Sequence, residues 1–257
     1  MSKNDKIILC FFGVLNRSIR YTYESLNCNM ISILKENFDV DIYVFNNNVE
    51  DSLVDSLKVN NDDCKIINAD FFEQEKQTYI DSKIQEIKED LKRFRYDYPP
   101  GQIQNALRQM YSEEKVGLFL ENNINKYKAA VVCGPDYCLM KPINILDIKK
   151  CFNNKTSVFT TIVNVGQGYT NGFYIGNLLP ISKILKRYSL VEQLLPTNKD
   201  YEYLLKRAFE IHNVENLTTD MIFIKIRNDK NIARQGIFRS SKFDMCLEKL
   251  KKKLHFE

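Results

Sequence analysis

The sequence predicts a mixed α/β fold, on three observations. The chain opens with a β-α-β-α-β order of apolar and amphipathic stretches, which implies a parallel sheet with helices on its faces. An apolar run from Ala129 to Cys133 then enters a Gly134-Pro135 turn, the signature of a strand that ends sharply. The second half continues with strands and helices but alternates less regularly, so the sheet is expected to be mixed.

The elements follow in order. Ile7 to Phe12 is the first strand, closed by Gly13, and a helix follows from about Tyr21 to Lys35 with Leu26, Met30, Ile33 and Leu34 on one side. Val40 to Phe45 is the second strand, a short helix is expected at about 50–58, and Cys64 to Ile67 is the expected third strand. Residues 72–98 are charged and helical in pattern, and Tyr98-Pro99-Pro100-Gly101 breaks them. A long helix from about Gln102 to Asn122 carries Ile103, Leu107, Met110, Tyr111 and Leu118 as an apolar stripe. After the Ala129 strand come a short helix beyond Asn144, strands at Ser157–Val163 and Asn171–Ile175, and helices at Leu178–Tyr188 and Tyr201–His212. Met221–Ile226 is a last strand, and a helix at about 242–254 closes the chain.

Composition excludes several classes. With 257 residues, 44% hydrophobic and 27% charged, the chain suits one large globular domain. The net charge of +4 is small and the basic residues are dispersed apart from Lys249–Lys253, which argues against nucleic acid as a partner. No run approaches the roughly 18 apolar residues of a membrane span. Lys6 to Val14 reads as a strand and not as a leader segment, and seven cysteines without a paired framework suit a reducing, cytoplasmic setting. His212 and His255, the two histidines, give no metal cluster or triad, and no Gly-x-Ser-x-Gly, Gly-x-Gly-x-x-Gly or Walker pattern occurs.

The informative chemistry lies at expected strand ends, where open α/β sheets bind ligands. Asp136 follows the Gly-Pro turn, and one carboxylate there is able to hold Mg²⁺ or Mn²⁺ together with phosphates and waters. Gly13, Arg17 and Ser18 form the first βα turn, with donors placed for a diphosphate near a helix start. Phe45 and Asn46 end the second strand, where they either stack on and hydrogen-bond a nucleobase or, as strand aromatics commonly do, belong to the core. Arg108 and Gln109 stand on a helix that otherwise faces the core, which makes them candidates to point into a cleft, and Asn171 in a glycine-flanked strand is a candidate to bond sugar hydroxyls. Asp200 and Glu202 open a helix, where acids are favoured by its dipole, and Asp220 precedes an apolar run; each is a candidate base.

Several of these segments together resemble a known family. They are Gly13-Val14-Leu15-Asn16-Arg17, Tyr23-Glu24-Ser25-Leu26, Asp41-Ile42-Tyr43-Val44-Phe45, the helix Asn105–Ser112, Gly134-Pro135-Asp136 and Asn171-Gly172-Phe173-Tyr174-Ile175-Gly176. In this order, over about residues 6–226, they are similar to the GT-A-fold, nucleotide-sugar-dependent glycosyltransferases of large DNA viruses and related microbial sequences. The resemblance implies a GT-A-like, mostly parallel sheet flanked by helices with a Rossmann-like front half. It implies a single domain in which 1–140 binds the nucleotide and 141–257 faces the acceptor. It also implies that Asp136 coordinates Mn²⁺ or Mg²⁺ on the diphosphate of a nucleotide-sugar donor. Two positions depart from the family pattern: Gly134 stands where an arginine is often found, and Cys138 where a second acid would follow.

The expected activity is transfer of a sugar from a UDP- or GDP-sugar to a hydroxyl of a glycan or glycosylated acceptor. Two other readings stay open at this point. A Rossmann-type methyltransferase would normally carry a glycine-rich first loop, whereas Gly13 stands alone. A glycosyltransferase-like binding or assembly subunit without activity is kept open by Cys138.

Overall fold

The structure is a computed structural model that describes residues 5–49, 53–54, 57–93, 100–161, 168–191, 201–230 and 232–233. Strand β1 (Lys6–Gly13) is apolar almost throughout because both its faces are covered. Ile8, Cys10 and Phe12 enter one core cluster and Ile7, Leu9 and Phe11 the other, the period of two of a strand sandwiched between layers. After a 3₁₀ turn at Leu15–Arg17 the chain forms α1 (Ile19–Leu26), a π turn (Asn27–Ile31) and α2 (Ser32–Asn37), which bury Leu26, Met30 and Leu34 against the second cluster. Strand β2 (Asp39–Asn48) pairs in parallel with β1 and splits its residues the same way, Tyr43 and Phe45 to one face, Ile42 and Val44 to the other.

Two expectations fail in the next segment. Where a short helix was expected at 50–58, β3 (Leu53–Val54) and β4 (Leu57–Lys58) pair antiparallel. Cys64–Ile67, expected as the third strand, falls largely in a 3₁₀ turn (Asn61–Ile66), nucleated by Asn60, whose side chain accepts a 3.1 Å bond from the Asp62 amide. The third parallel strand is instead β5 (Phe71–Lys76), paired with β2. It is a sheet edge, and its Glu73-Gln74-Glu75-Lys76 sequence reads as polar helix because an edge strand is kept charged.

Helices α3 (Gln77–Arg93) and α4 (Pro100–Asn122) follow, and α4 lays Leu107, Met110, Val116 and Leu120 on the first cluster. Strand β6 (Ala130–Cys133) returns in parallel beside β1, and β7 (Tyr137–Leu139) leaves the main sheet after the Asp136 turn. Helix α5 (Ile145–Cys151) is capped by Asn144, whose Oδ1 accepts the Leu146 amide. Then come β8 (Ser157–Thr161), β9 (Phe173–Gly176), α6 (Leu178–Leu185) with a 3₁₀ extension at Lys186–Leu190, and α7 (Tyr201–Ile211). Strands β10 (Glu215–Thr219), β11 (Phe223–Ile226) and β12 (Ile232–Ala233) end the described chain; the helix expected at 242–254 lies outside the described residues.

The main sheet has seven strands in the order β10-β8-β9-β6-β1-β2-β5. Only β9 runs against its neighbours, and it explains the irregular second half of the sequence. A second sheet, β12-β11-β7, is antiparallel and stands beside the carboxyl end of β6. No helix among the described residues is long and apolar enough to cross a membrane.

Candidate functional site

The carboxyl ends of β1, β2 and β6 open onto a cleft of ≈ 420 Å³. Gly13, Val14 and Arg17 line it from the end of β1, Asn47 from β2, and Pro135, Asp136 and Tyr137 from the turn after β6. Gly13 has φ +106, a left-handed conformation that a side chain would strain, so glycine suits the sharp exit of β1. Helix α4 contributes Asn105, Arg108 and Gln109, the segment before β9 contributes Asn171, and the first turn of α7 contributes Glu202.

Two further lining residues are basic and come from β11 and the residue just past its end. Lys225 and Arg227 both line the cleft, while the alternating Ile224 and Ile226 pack on the other side with Cys138. The register explains this: Lys225 is opposite Tyr137 and Ile224 opposite Cys138, so the alternation of a strand sends cations to the cleft and aliphatics to a small core. The Ile226 amide donates to the Asp136 carbonyl at 2.8 Å, which ties β11 to the turn. Arg227 Nη1 stands 3.5 Å from Asp136 Oδ2, and the Lys225 ammonium is 5.1 Å from the centre of the Tyr137 ring. Burial pushes Lys225 below the ordinary lysine value, opposed by the neighbouring Asp136 charge.

A buried polar network fixes the cleft floor. Glu113 on α4 and Arg187 after α6 form an ion pair, and Gln109 Nε2 donates to Glu113 Oε1 at 3.0 Å. Arg187 Nη2 donates to Asn171 Oδ1 at 3.1 Å, and the Tyr137 hydroxyl donates to the Asn171 carbonyl at 2.7 Å. Gly172 has φ +86, and a Cβ there would lie 2.1 Å from the Tyr137 hydroxyl. Gln109, Asn171 and Tyr137 are therefore held in place before any ligand arrives.

The structure brings together Gly13, Arg17, Arg108, Gln109, Asp136, Asn171 and Glu202. Arg108, however, holds Asp81 bidentately at 2.7 and 2.6 Å, so its charge is already matched. Four residues named from the sequence stand elsewhere. Phe45 is buried in the core, tilted against Tyr111. Asn46 points to the opposite side of β2 from Asn47: its Oδ1 accepts the Leu15 amide at 3.1 Å, and it borders a separate amide-rich pocket. Ser18 is fully buried at the start of α1. Asp220 is mostly exposed and pairs with Lys141 away from the cleft. Asp200 lies outside the described residues.

The metal expected at Asp136 can be tested against its surroundings. The second position of the acidic pattern, Cys138, is buried among Ile224 and Ile226 and faces away from the cleft. No group of three or more His, Cys, Asp and Glu gathers among the described residues. Arg227 stands against Asp136, and Lys225 and Arg17 line the same cleft. A divalent ion about 5 Å from one such cation is repelled by about 7 kcal/mol at an effective dielectric of about 20. Two carboxylates, Asp136 and Glu202, against three cations leave the cleft net positive, which does not fit a resident divalent ion.

No protein-family model matches the chain, and no curated protein is similar to it in sequence. Solved structures do match. Core-mannan synthase A of Aspergillus fumigatus in its Mn/GDP form has a TM-score of 0.51 at 9% identity, over 100% of this chain and 87% of that one. Mouse xyloside xylosyltransferase 1 in its apo form gives 0.45 at 11% identity over 84% and 85% of the two chains. A GDP-bound mannosyltransferase of S. cerevisiae gives 0.48 at 11% identity over 99% and 83%. The first of these likenesses shows the fold: the mixed, mostly parallel seven-stranded sheet flanked by helices is GT-A-like.

Proposed function

We propose that the chain is a glycosyltransferase that moves a sugar from a nucleotide diphosphate sugar to a hydroxyl of a glycan or glycosylated acceptor. The observation that carries this reading is the gathering of Arg17, Lys225 and Arg227 with Asp136 in a cleft at the carboxyl ends of parallel strands. Fixed cations aimed at a leaving diphosphate lower the barrier to its departure, because they need no reorganisation as its charge develops. The clamped amides of Gln109 and Asn171 supply hydrogen bonds for ribose or sugar hydroxyls. The structurally similar core-mannan synthase A was solved in a Mn/GDP form, which makes GDP-sugars as well as UDP-sugars the donors to try.

For an inverting reaction the acceptor hydroxyl must lose its proton to a base. Of the sequence-named carboxylates that the structure describes, Glu202 lines the cleft and Asp220 does not. Glu202 is thus the candidate base. A second reading rests on the buried Cys138, which replaces the second acid of the family pattern: a glycosyltransferase-like subunit that binds a donor without turning it over.

The test is a panel of UDP- and GDP-sugars scored for release of the nucleoside diphosphate, with S-adenosylmethionine as a control ligand. One donor should be consumed, and Glu202→Gln should slow transfer by about a hundredfold while the donor still binds. Binding of a donor without any release supports the inactive subunit. Binding of S-adenosylmethionine alone contradicts both readings.

A further inference from the structure

We infer that the cleft holds the donor's diphosphate by its own side chains, Arg17, Lys225 and Arg227, and needs no divalent cation to do so. This inference rests on the nucleotide-sugar reading and deepens it. In a metal-assisted site the ion screens two anionic partners, the protein's carboxylates and the diphosphate. Here the protein side already carries the positive charge.

The arrangement is built into the fold. Lys225 on β11 and Arg227, the residue just past its end, are two residues apart and both line the cleft, so the strand's alternation carried on by one residue presents both to one anion. Asn228, fully buried, anchors the next position by donating to the carbonyls of Val54 and Leu57 at 2.9 and 3.2 Å and accepting from Arg20 at 2.9 Å. Arg17 lines the same cleft from the turn that follows the left-handed Gly13. Asp136, with Arg227 Nη1 3.5 Å from its carboxylate, holds that guanidinium at the cleft. Guanidinium groups bind phosphate oxygens in pairs, which gives the site direction as well as charge. Asp136 is therefore a positioning residue for Arg227, and Cys138 is released from any ligand role and used as packing.

The experiment is calorimetric titration of the full chain with UDP and with GDP, once in excess EDTA and once in Mn²⁺. At least one nucleotide should bind in EDTA with a Kd within about threefold of its value in Mn²⁺. Lys225→Gln and Arg227→Gln should each weaken that binding by about tenfold or more, with unchanged thermal unfolding. Binding lost in EDTA and restored by Mn²⁺ overturns the inference, leaves the transferase reading standing and returns Asp136 to a metal-ligand role. Unchanged binding in both folded variants also overturns it. Failure of UDP and GDP to bind in either condition overturns the inference and the nucleotide-sugar reading together.

Discussion

Arg187 Nη2 lies 2.6 Å from Glu113 Oε2, with both side chains buried beneath the cleft. The pair joins α4 to the turn after α6, and through Gln109 and Asn171 it sets two polar groups of the cleft floor. Burial pushes the Glu113 carboxyl up, against the pull of Arg187, while Arg187 stays charged. Such a pair is expensive to break from one side, because the remaining charge is stranded without water. Arg187→Met and Glu113→Leu should each lower stability by about 3–5 kcal/mol. The double variant should lose less than the two singles combined, since it leaves no orphan charge. Urea unfolding of the set measures both quantities.

Gly172 and Tyr137 form a second coupled pair. A Cβ at residue 172 would sit 2.1 Å from the Tyr137 hydroxyl, and φ +86 adds backbone strain of about 1–2 kcal/mol. Gly172→Ala should therefore destabilise by about 2–4 kcal/mol and shift the Tyr137 ring. Tyr137→Phe removes its bond to the Asn171 carbonyl and should lose about 1 kcal/mol. With the clashing hydroxyl gone, the double variant should be more stable than the sum of the singles allows. Strict additivity would show that the two residues do not meet.

Thiol reactivity separates exposed from buried cysteines. Burial pushes Cys151 up to about 12, with Asp147 adding to the effect, and it also raises Cys10 and Cys133. A thiol held protonated is a poor nucleophile. Iodoacetamide at about pH 8 should modify the exposed Cys28 and leave Cys10, Cys133 and Cys151 intact, as read by peptide mass mapping of the folded protein. Raising the pH to about 9 should not open Cys151 to reaction.

His212 gives a pH signature. Burial and the charges of Lys183 and Lys186 hold it below the ordinary histidine value. The unfolded chain then takes up this proton more readily than the folded one. The stability linked to His212 is present above the unfolded value of about 6.5 and is lost as pH falls through the lower folded value. The difference in urea midpoint between about pH 7.5 and about pH 5 should shrink in His212→Gln.

The first half of the fold was legible because its physics is local. β1, β2 and β6 are buried on both faces, so apolar runs mark them directly, and the Gly-Pro turn after β6 marks where Asp136 emerges. β5 was hidden because an edge strand carries charge, and Cys64–Ile67 mimicked it because Cys64 and Ile67 are buried in a turn. Of the cleft, the residues at strand ends were readable from position alone. Lys225 and Arg227 do not stand out in the sequence because the Met221–Ile226 segment that contains the one and precedes the other is mostly apolar. The alternation Ile224-Lys225-Ile226-Arg227 was the available signal for a strand with one wet face. Asn46 and Asn47 could not be sorted by inspection, since neighbours on a strand face opposite sides and only the register says which side is the cleft.

The most direct measurement is a crystal structure of the protein soaked with the nucleoside diphosphate that binds it best. The account predicts the diphosphate within hydrogen-bonding distance of Arg227 and Lys225, beside Asp136 at the end of β6. A diphosphate bound in the amide-rich pocket beside Asn46, or anywhere beyond reach of those two cations, would contradict it.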